Sequence, residues 1–327
     1  MCTAISFKTK DHYFGRNLDL EYSYVESVTI TPRNYPFQFR KEREFKKHYA
    51  MIGMAYVQDD YPLYYDATNE KGLSMAGLSF PGNAVYLSEQ SNKYNVAPFE
   101  LIPWVLGQCK DVKEARELLE STNVMNMMFR KDLPATALHY MVSDKCESIV
   151  LEPMKDGLHI HNNPVKVLTN NPPFPYQMFN LNQYMGLTKK PPMNTFAKEV
   201  PLEIHSRGMG AFGLPGDLSS PSRFVRAAFT KWNSKCEESE SSSVNQFFHI
   251  LGSVEQQRGC VQLENKDYEY TVYSSCCNTE KGIYYYKTYE NTRIMAVDMH
   301  RANLDGQRLA SYPIQKEWDV LHVDIDG

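Results

Sequence analysis

Met1-Cys2-Thr3-Ala4-Ile5-Ser6-Phe7-Lys8 and Tyr13-Phe14-Gly15-Arg16-Asn17-Leu18-Asp19-Leu20 decide the reading of this chain. Residues 2–8 alternate apolar and polar side chains, the period of a half-buried strand. Lys10-Asp11-His12 is a short polar turn, and the alternation resumes over 13–20, so the pair reads as a hairpin. That hairpin carries Arg16 and Asp19 back to the chain start. Once the initiator Met is removed, Cys2 holds both a thiol and a free α-amine. An N-terminal amine titrates near ~8 and a free thiol near ~8.5, so a proton passes between them at little cost at neutral pH. Nucleophile and base then share one residue, the arrangement known for Thr with its own amine. A start residue without chemical role stays open beside this reading. So does a solvated surface pair for Arg16 and Asp19, against a charge pair that tunes the amine.

Outward from the hairpin, composition narrows the class. Of 327 residues 42% are apolar and 23% charged, enough for a large core. A net charge of −4 is no footprint for nucleic acid. The seven cysteines are odd in number and lack Cys-x-x-Cys spacing, which fits reduced thiols in a cytoplasm. No secretory leader pattern opens the chain, and no apolar run reaches the ~20 residues of a membrane span. The 22 Tyr and 16 Phe can fill a core or line a site for an amphipathic ligand.

Strands are expected at 25–31, 49–57, 61–67 and 73–79, where Ser74-Met75-Ala76-Gly77 permits close backbone approach. Arg40–His48 reads as a solvated hairpin or loop. Helices follow at 98–109 and 112–121, with Asp111 as N-cap. Strands return over 133–152 and 158–169, ending in Asn170-Asn171-Pro172-Pro173. Asn170 is a turn residue by default, or an amide donor for a developing oxyanion. The Met125, Met127, Met128 and Phe129 cluster reads as core filler or a pliable apolar wall. Residues 174–186 look helical and 187–202 form a loop. Ser219-Ser220-Pro221-Ser222 opens a helix over 223–232. Arg223 in its first turn opposes the helix dipole, which implies a partner elsewhere. An exposed connector at 235–243, a helix at 244–255, strands at 268–276, 282–289 and 293–299, and a polar tail complete the chain. With no repeat or splitting linker, residues 1–327 read as one domain of two packed sheets with helices outside.

Other motifs fail on context. Gly208-x-Gly210-x-x-Gly213 has no strand before it and Pro215 where a helix should start. His159-x-His161 lacks a third metal ligand, so no metal is expected; no cofactor is expected either.

Taken together, Met1-Cys2-Thr3-Ala4-Ile5, Phe14-Gly15-Arg16-Asn17-Leu18-Asp19, Asn69–Gly82, Leu168-Thr169-Asn170, Gly213–Asp217 with Ser222-Arg223-Phe224, and Tyr286–Asn291 resemble the choloylglycine hydrolases. These are the bile salt hydrolases and penicillin V acylases of the N-terminal nucleophile class. The resemblance implies an α+β, four-layer αββα sandwich and often a homotetramer, with 181–196 as the assembly segment. It implies Cys2 as nucleophile, its amine as base, Arg16 and Asp19 as the groups holding them, Asn170 on the oxyanion side and Arg223 in the polar network. Its bile salt hydrolase branch implies glycine- or taurine-conjugated bile acids as substrates. Leu18, Tyr24, Tyr65, Met125 and Phe129 are then expected to wall the steroid. Ser79 departs from the pattern: Asn stands there in bile salt hydrolases and Tyr in penicillin acylases. A penicillin V or other N-acyl amide acylase, and a silent steroid-binding relative, are the competing readings.

Overall fold

The computed structural model describes residues 1–323, and the opening hairpin forms as the alternation requires. β1 (Cys2–Lys8) and β2 (His12–Leu20) pair antiparallel, with Cys2 opposite Leu18 and Ala4 opposite Arg16. Next come β3 (Ser27–Thr31), β4 (Met51–Gln58), β5 (Tyr61–Asn69), β6 (Ser74–Ser79), β7 (Tyr94–Val96) and β8 (Thr122–Val124). β9 (Leu138–Ser143), β10 (Ser148–Met154), β11 (Gly157–Asn162) and β12 (Val167–Leu168) form the middle of the chain. β13 (Val261–Gln262), β14 (Tyr268–Asn278), β15 (Ile283–Thr288), β16 (Met295–Asp298) and β17 (Ala310–Pro313) close it. The helices are α1 (Leu101–Leu106), α2 (Val112–Glu120), α3 (Phe174–Leu181), α4 (Ser220–Asn233) and α5 (Glu240–Gly252).

Two large antiparallel sheets result. The first runs β12-β1-β2-β14-β15-β16, with β13 on β14; the second runs β11-β10-β9-β6-β5-β4-β3-β17. Ile30, Met54, Leu78 and Met141 of the second sheet share one core with Ala4, Phe14 and Leu18 of the first. Phe224 of α4 and Phe247 of α5 extend that core over the first sheet's far face. A separate core of Phe37, Phe45, Trp104, Val112 and Leu151 lies between the second sheet and α1 and α2. Four layers follow, αββα. Gly15 is required by close approach, because a Cβ there would collide with the Ser275 carbonyl oxygen of β14.

Several expectations are corrected. The 98–109 helix shrinks to α1 after one 3₁₀ turn at Pro98–Glu100. Asp111 does cap α2, accepting from the Glu114 N–H. The 235–243 connector ends early: Ser239 accepts from the Ser242 N–H and starts α5 at Glu240. Arg40–His48 is no mere solvated loop, since Phe45 bridges to Phe37 and both are buried. Part of the polar tail is β17, an edge strand paired to β3 with Pro313 at its end.

Candidate active site

Strand alternation sorts the hairpin's side chains onto two faces. Cys2, Ala4, Arg16 and Leu18 share the face toward the second sheet, by their register. Thr3, Asn17 and Asp19 take the other face, toward α4 and α5; Asn17 donates to the Leu251 carbonyl at 3.0 Å. Arg16 and Asp19 are therefore no ion pair, and the odd spacing of three between them already required this. Arg16 reaches Cys2 Sγ, while the Asp19 carboxylate meets Thr271 on the opposite face.

Arg16 is fully buried. Its Nη2 donates to Cys2 Sγ at 2.5 Å, and its Nη1 to the Tyr65 carbonyl at 3.0 Å and to the Gly77 carbonyl. Those carbonyls are free because β5 and β6 part company here: their pairing ends at Asp66 opposite Ala76. A bulge at Tyr65 against β4 frees its carbonyl further. Burial opposes the guanidinium's charge, but Cys2, Tyr273, Asp66 and Asp19 outweigh it and push its pKa up. Asp66, itself buried, accepts from Tyr273 Oη at 2.8 Å and Tyr284 Oη at 2.7 Å. Burial raises its carboxyl pKa, while Arg16 and the tyrosines pull it back.

On the helix side, Arg223 Nη1 donates to the Cys2 carbonyl at 2.6 Å and to Thr3 Oγ1 at 2.7 Å. Its Nη2 donates to Asn170 Oδ1 at 2.8 Å. This is the partner that outweighs its unfavourable helix position. Asn170 Oδ1 also accepts the Cys2 backbone N–H at 2.7 Å. Every polar atom of Cys2 is thus held by a side chain: the sulfur by Arg16 of the same hairpin, the backbone N–H and carbonyl by Asn170 and Arg223 from far along the chain. Cys2 is 2% exposed beneath Met1. The Met1 amine donates to the Asp19 carbonyl at 2.8 Å and pairs with Glu269; burial holds its pKa below the usual amine range. Asp19 Oδ1 accepts from Thr271 Oγ1 at 2.6 Å, beside a bulge in β14. Its Oδ2 is buried without a hydrogen-bond partner, 3.9 Å from Arg223 Nη1. Burial raises the Asp19 carboxyl pKa against the opposing pull of Arg223.

Asn170 Nδ2 spends one N–H on the Ser79 carbonyl at 2.7 Å, leaving the second N–H of the amide. Ser79 closes β6 opposite Leu138. Phe80 donates to the Ala137 carbonyl at 2.8 Å, so Phe80 and Ala137 are a hydrogen-bonded pair. By antiparallel alternation the Ser79 N–H points away from β9, into the split between β6 and β5 that Arg16 also enters.

Leu18 and Tyr65 stand beside Cys2 in the inner core, and Tyr24 packs between Tyr22 and Tyr56 at 4.8 and 5.9 Å. Met125 and Phe129 are not brought to this group. Phe129 packs edge-on against Phe99 at 5.3 Å on the outer core, and Met125 donates its N–H to Val96. His159 and His161 bond separate carboxylates, Asp156 and Glu152. Among the described residues no group of three His, Cys, Asp or Glu could hold a metal ion, and no helix is long and apolar enough to cross a membrane. Asp66, Tyr273, Tyr284 and Thr271 were not legible as site residues. Only the small residues of β6 hinted at a group inserting against backbone.

Comparison with known proteins gives the family. Residues 2–312 match the family model described as linear amide C–N hydrolases, choloylglycine hydrolase family. A bile salt hydrolase/transferase of Lactiplantibacillus plantarum is 55% identical over 317 residues, covering 97% of this chain and 98% of that protein. The crystal structure of the C2A mutant of conjugated bile acid hydrolase from Clostridium perfringens superposes with a TM-score of 0.92 at 38% identity, covering 99% of this chain and 100% of that one. Penicillin V acylase from Agrobacterium tumefaciens shares the fold, with a TM-score of 0.75 at 17% identity, covering 95% of this chain and 90% of that one.

Proposed function

The chain belongs to the choloylglycine hydrolase family, and from that premise we propose that it is a bile salt hydrolase, cleaving the amide of glycine- or taurine-conjugated bile acids at Cys2. The observation that carries the assignment to Cys2 is the capture of its N, O and Sγ by Asn170, Arg223 and Arg16. Loss of Met1 turns the Cys2 N–H into an amine, and the unpartnered Asp19 Oδ2 is a buried acceptor suited to its protonated form. The amine takes the thiol proton as sulfur attacks the amide carbon. Arg16 faces the sulfur with a positive charge throughout. The second N–H of Asn170 and the backbone N–H of Ser79 receive the oxyanion. The C–N bond breaks as the amine returns its proton to the departing glycine or taurine. Water, deprotonated by the same amine, then cleaves the acyl thioester, releasing the bile acid and regenerating the thiol. Because the Ser79 donor is backbone, its side chain leaves the reaction class untouched.

Leu18, Tyr24 and Tyr65 are assigned to the apolar wall for the steroid. Residues 1–327 are assigned to one domain, supported by a first sheet that combines strands from Cys2 to Asp298. A homotetramer assembled through 181–196 is supported by Met185, Met193 and Phe196, each more than four-fifths exposed. A bacterial cytoplasmic location is supported by seven free cysteines.

Purified protein, with Met1 removal verified by intact mass, should release glycine or taurine from glycocholate and taurocholate, and Cys2→Ala should release neither. Absence of release from both conjugates would overturn the reading, and faster turnover of a phenoxyacetyl amide would transfer it to the acylases. Full activity in protein that retains Met1 would remove the amine from the mechanism.

A further inference from the structure

A buried His–Glu pair lies behind the site and touches no atom of Cys2. His139, on β9 opposite Leu78, and Glu152, on β10, are 0% and 1% exposed. His139 Nε2 lies 2.8 Å from the Thr169 carbonyl oxygen, and its Nδ1 lies 3.3 Å from Glu152 Oε1. The same Oε1 accepts the Phe174 N–H at 2.8 Å. Glu152 Oε2 faces His161 Nε2 at 3.4 Å. Burial would raise the Glu152 carboxyl pKa, but His139, His161 and the Phe174 amide overcome it and hold it at about 2.

Thr169 and Phe174 bracket Asn170-Asn171-Pro172-Pro173, so the pair fastens both ends of the segment that presents Asn170. Its other contact is equally placed. The His139 ring stacks flat on Phe80, with centroids 4.2 Å apart and planes 5° off parallel. Phe80 follows Ser79. One imidazole therefore sets the segment after Ser79 against the carbonyl before Asn170, the two residues assigned to the oxyanion. A pair that merely filled the core would bond its own strands; here each hydrogen bond to backbone goes to the 169–174 segment.

We propose that His139 and Glu152 are positioning residues that fix the separation of the Ser79 N–H from the Asn170 amide, and so govern acyl transfer without touching substrate. The proposal rests on the hydrolase reading above and refines its oxyanion site. The reason for a large effect is geometric: a misplacement of ~1 Å at a reacting group can cost ~10²-fold in rate.

The test separates oxyanion stabilisation from nucleophile activation. Alkylation of Cys2 by iodoacetamide forms no oxyanion, whereas taurocholate hydrolysis does. For His139→Ala, kcat should fall ~10–100-fold, with KM within ~3-fold and the Cys2 alkylation rate within ~2-fold of wild type. His139→Gln keeps a donor for the Thr169 carbonyl and should recover most of that loss. Glu152→Gln is nearly isosteric, keeps the acceptor for Phe174, and should fold even where His139→Ala does not; its kcat should fall ~3–10-fold with alkylation unchanged. Unchanged kcat in folded variants, or kcat and alkylation falling together, overturns the proposal. A wild-type protein that alkylates rapidly yet hydrolyses no bile salt overturns the hydrolase reading instead.

Discussion

The two cores of this protein are built on opposite plans. Between α1, α2 and the second sheet, Phe37, Phe39, Phe45 and Trp104 pack ring on ring, with Phe45 stacked on Trp104 at 5.3 Å. Its deepest charge, Glu100, only receives the N–H groups of Ala97 and Arg40. Around Cys2, in the core shared by the two sheets and α4, Arg16, Arg223, Asp19 and Asp66 are all at least 98% buried. Removing four charges from water opposes folding unless each is paired and hydrogen-bonded. Here backbone bulges, split strands and tyrosine hydroxyls supply the partners. The outer core shows what apolar burial needs for stability, and the inner core shows what was added to hold one sulfur.

That contrast can be broken experimentally. Trp104→Ala should lower unfolding free energy by ~3–5 kcal/mol in urea titration, with kcat at low temperature within ~2-fold of wild type. A comparable fall in kcat would mean that the outer core is coupled to the site. Arg16→Met should do the reverse. Turnover is expected to fall ~10²–10³-fold, the scale of one lost charge-stabilising donor. The folding midpoint should move far less than in Trp104→Ala, because replacing a buried ion with an apolar side chain of similar volume is often near neutral. A variant that unfolds while its residual folded fraction keeps full activity would reverse the roles.

A pH series sharpens the same point. His12 shares the inner face of β2 with Arg16 and lies between Ser6 and Thr279; burial, then Lys166, holds its pKa at about 3. A base whose pKa is depressed on folding binds more protons when unfolded. Its stabilising contribution is therefore complete above its ordinary value of 6.5 and is lost as pH falls toward about 3. In His12→Gln the melting temperature should vary less with pH across that window; an unchanged slope would remove His12 from the acid sensitivity of the inner core. Smallest of all, Ser79→Asn should change kcat by less than ~10-fold, since the donor assigned there is backbone. A gain of ~10² would make the side chain the donor after all.

Some of this site was open to reading from local pattern. Period two placed β1 against β2 and set Arg16 near Cys2, and the misplaced charge of Arg223 in its helix announced a distant partner. The spacing of Arg16 and Asp19 carries a further fact: three residues along a strand means opposite faces. Met125 packs beside Val96 and Phe129 against Phe99, a placement that local pattern left open. An apolar cluster looks the same whether it lines a cleft or backs an outer core.

Local periodicity, then, determined the hairpin, terminal chemistry pointed to Cys2 as the proposed nucleophile, and the motif blocks carried the family resemblance. Only the tertiary structure decided that Asn170, 168 residues from Cys2, takes its N–H, that Arg223 takes its carbonyl, and that Asp66 with Tyr273 and Tyr284 stands in Arg16's field. The physical reason is range. Strand period and helix caps are set by neighbours a few residues apart. The partners of a buried charge are chosen by which strands the two sheets bring face to face.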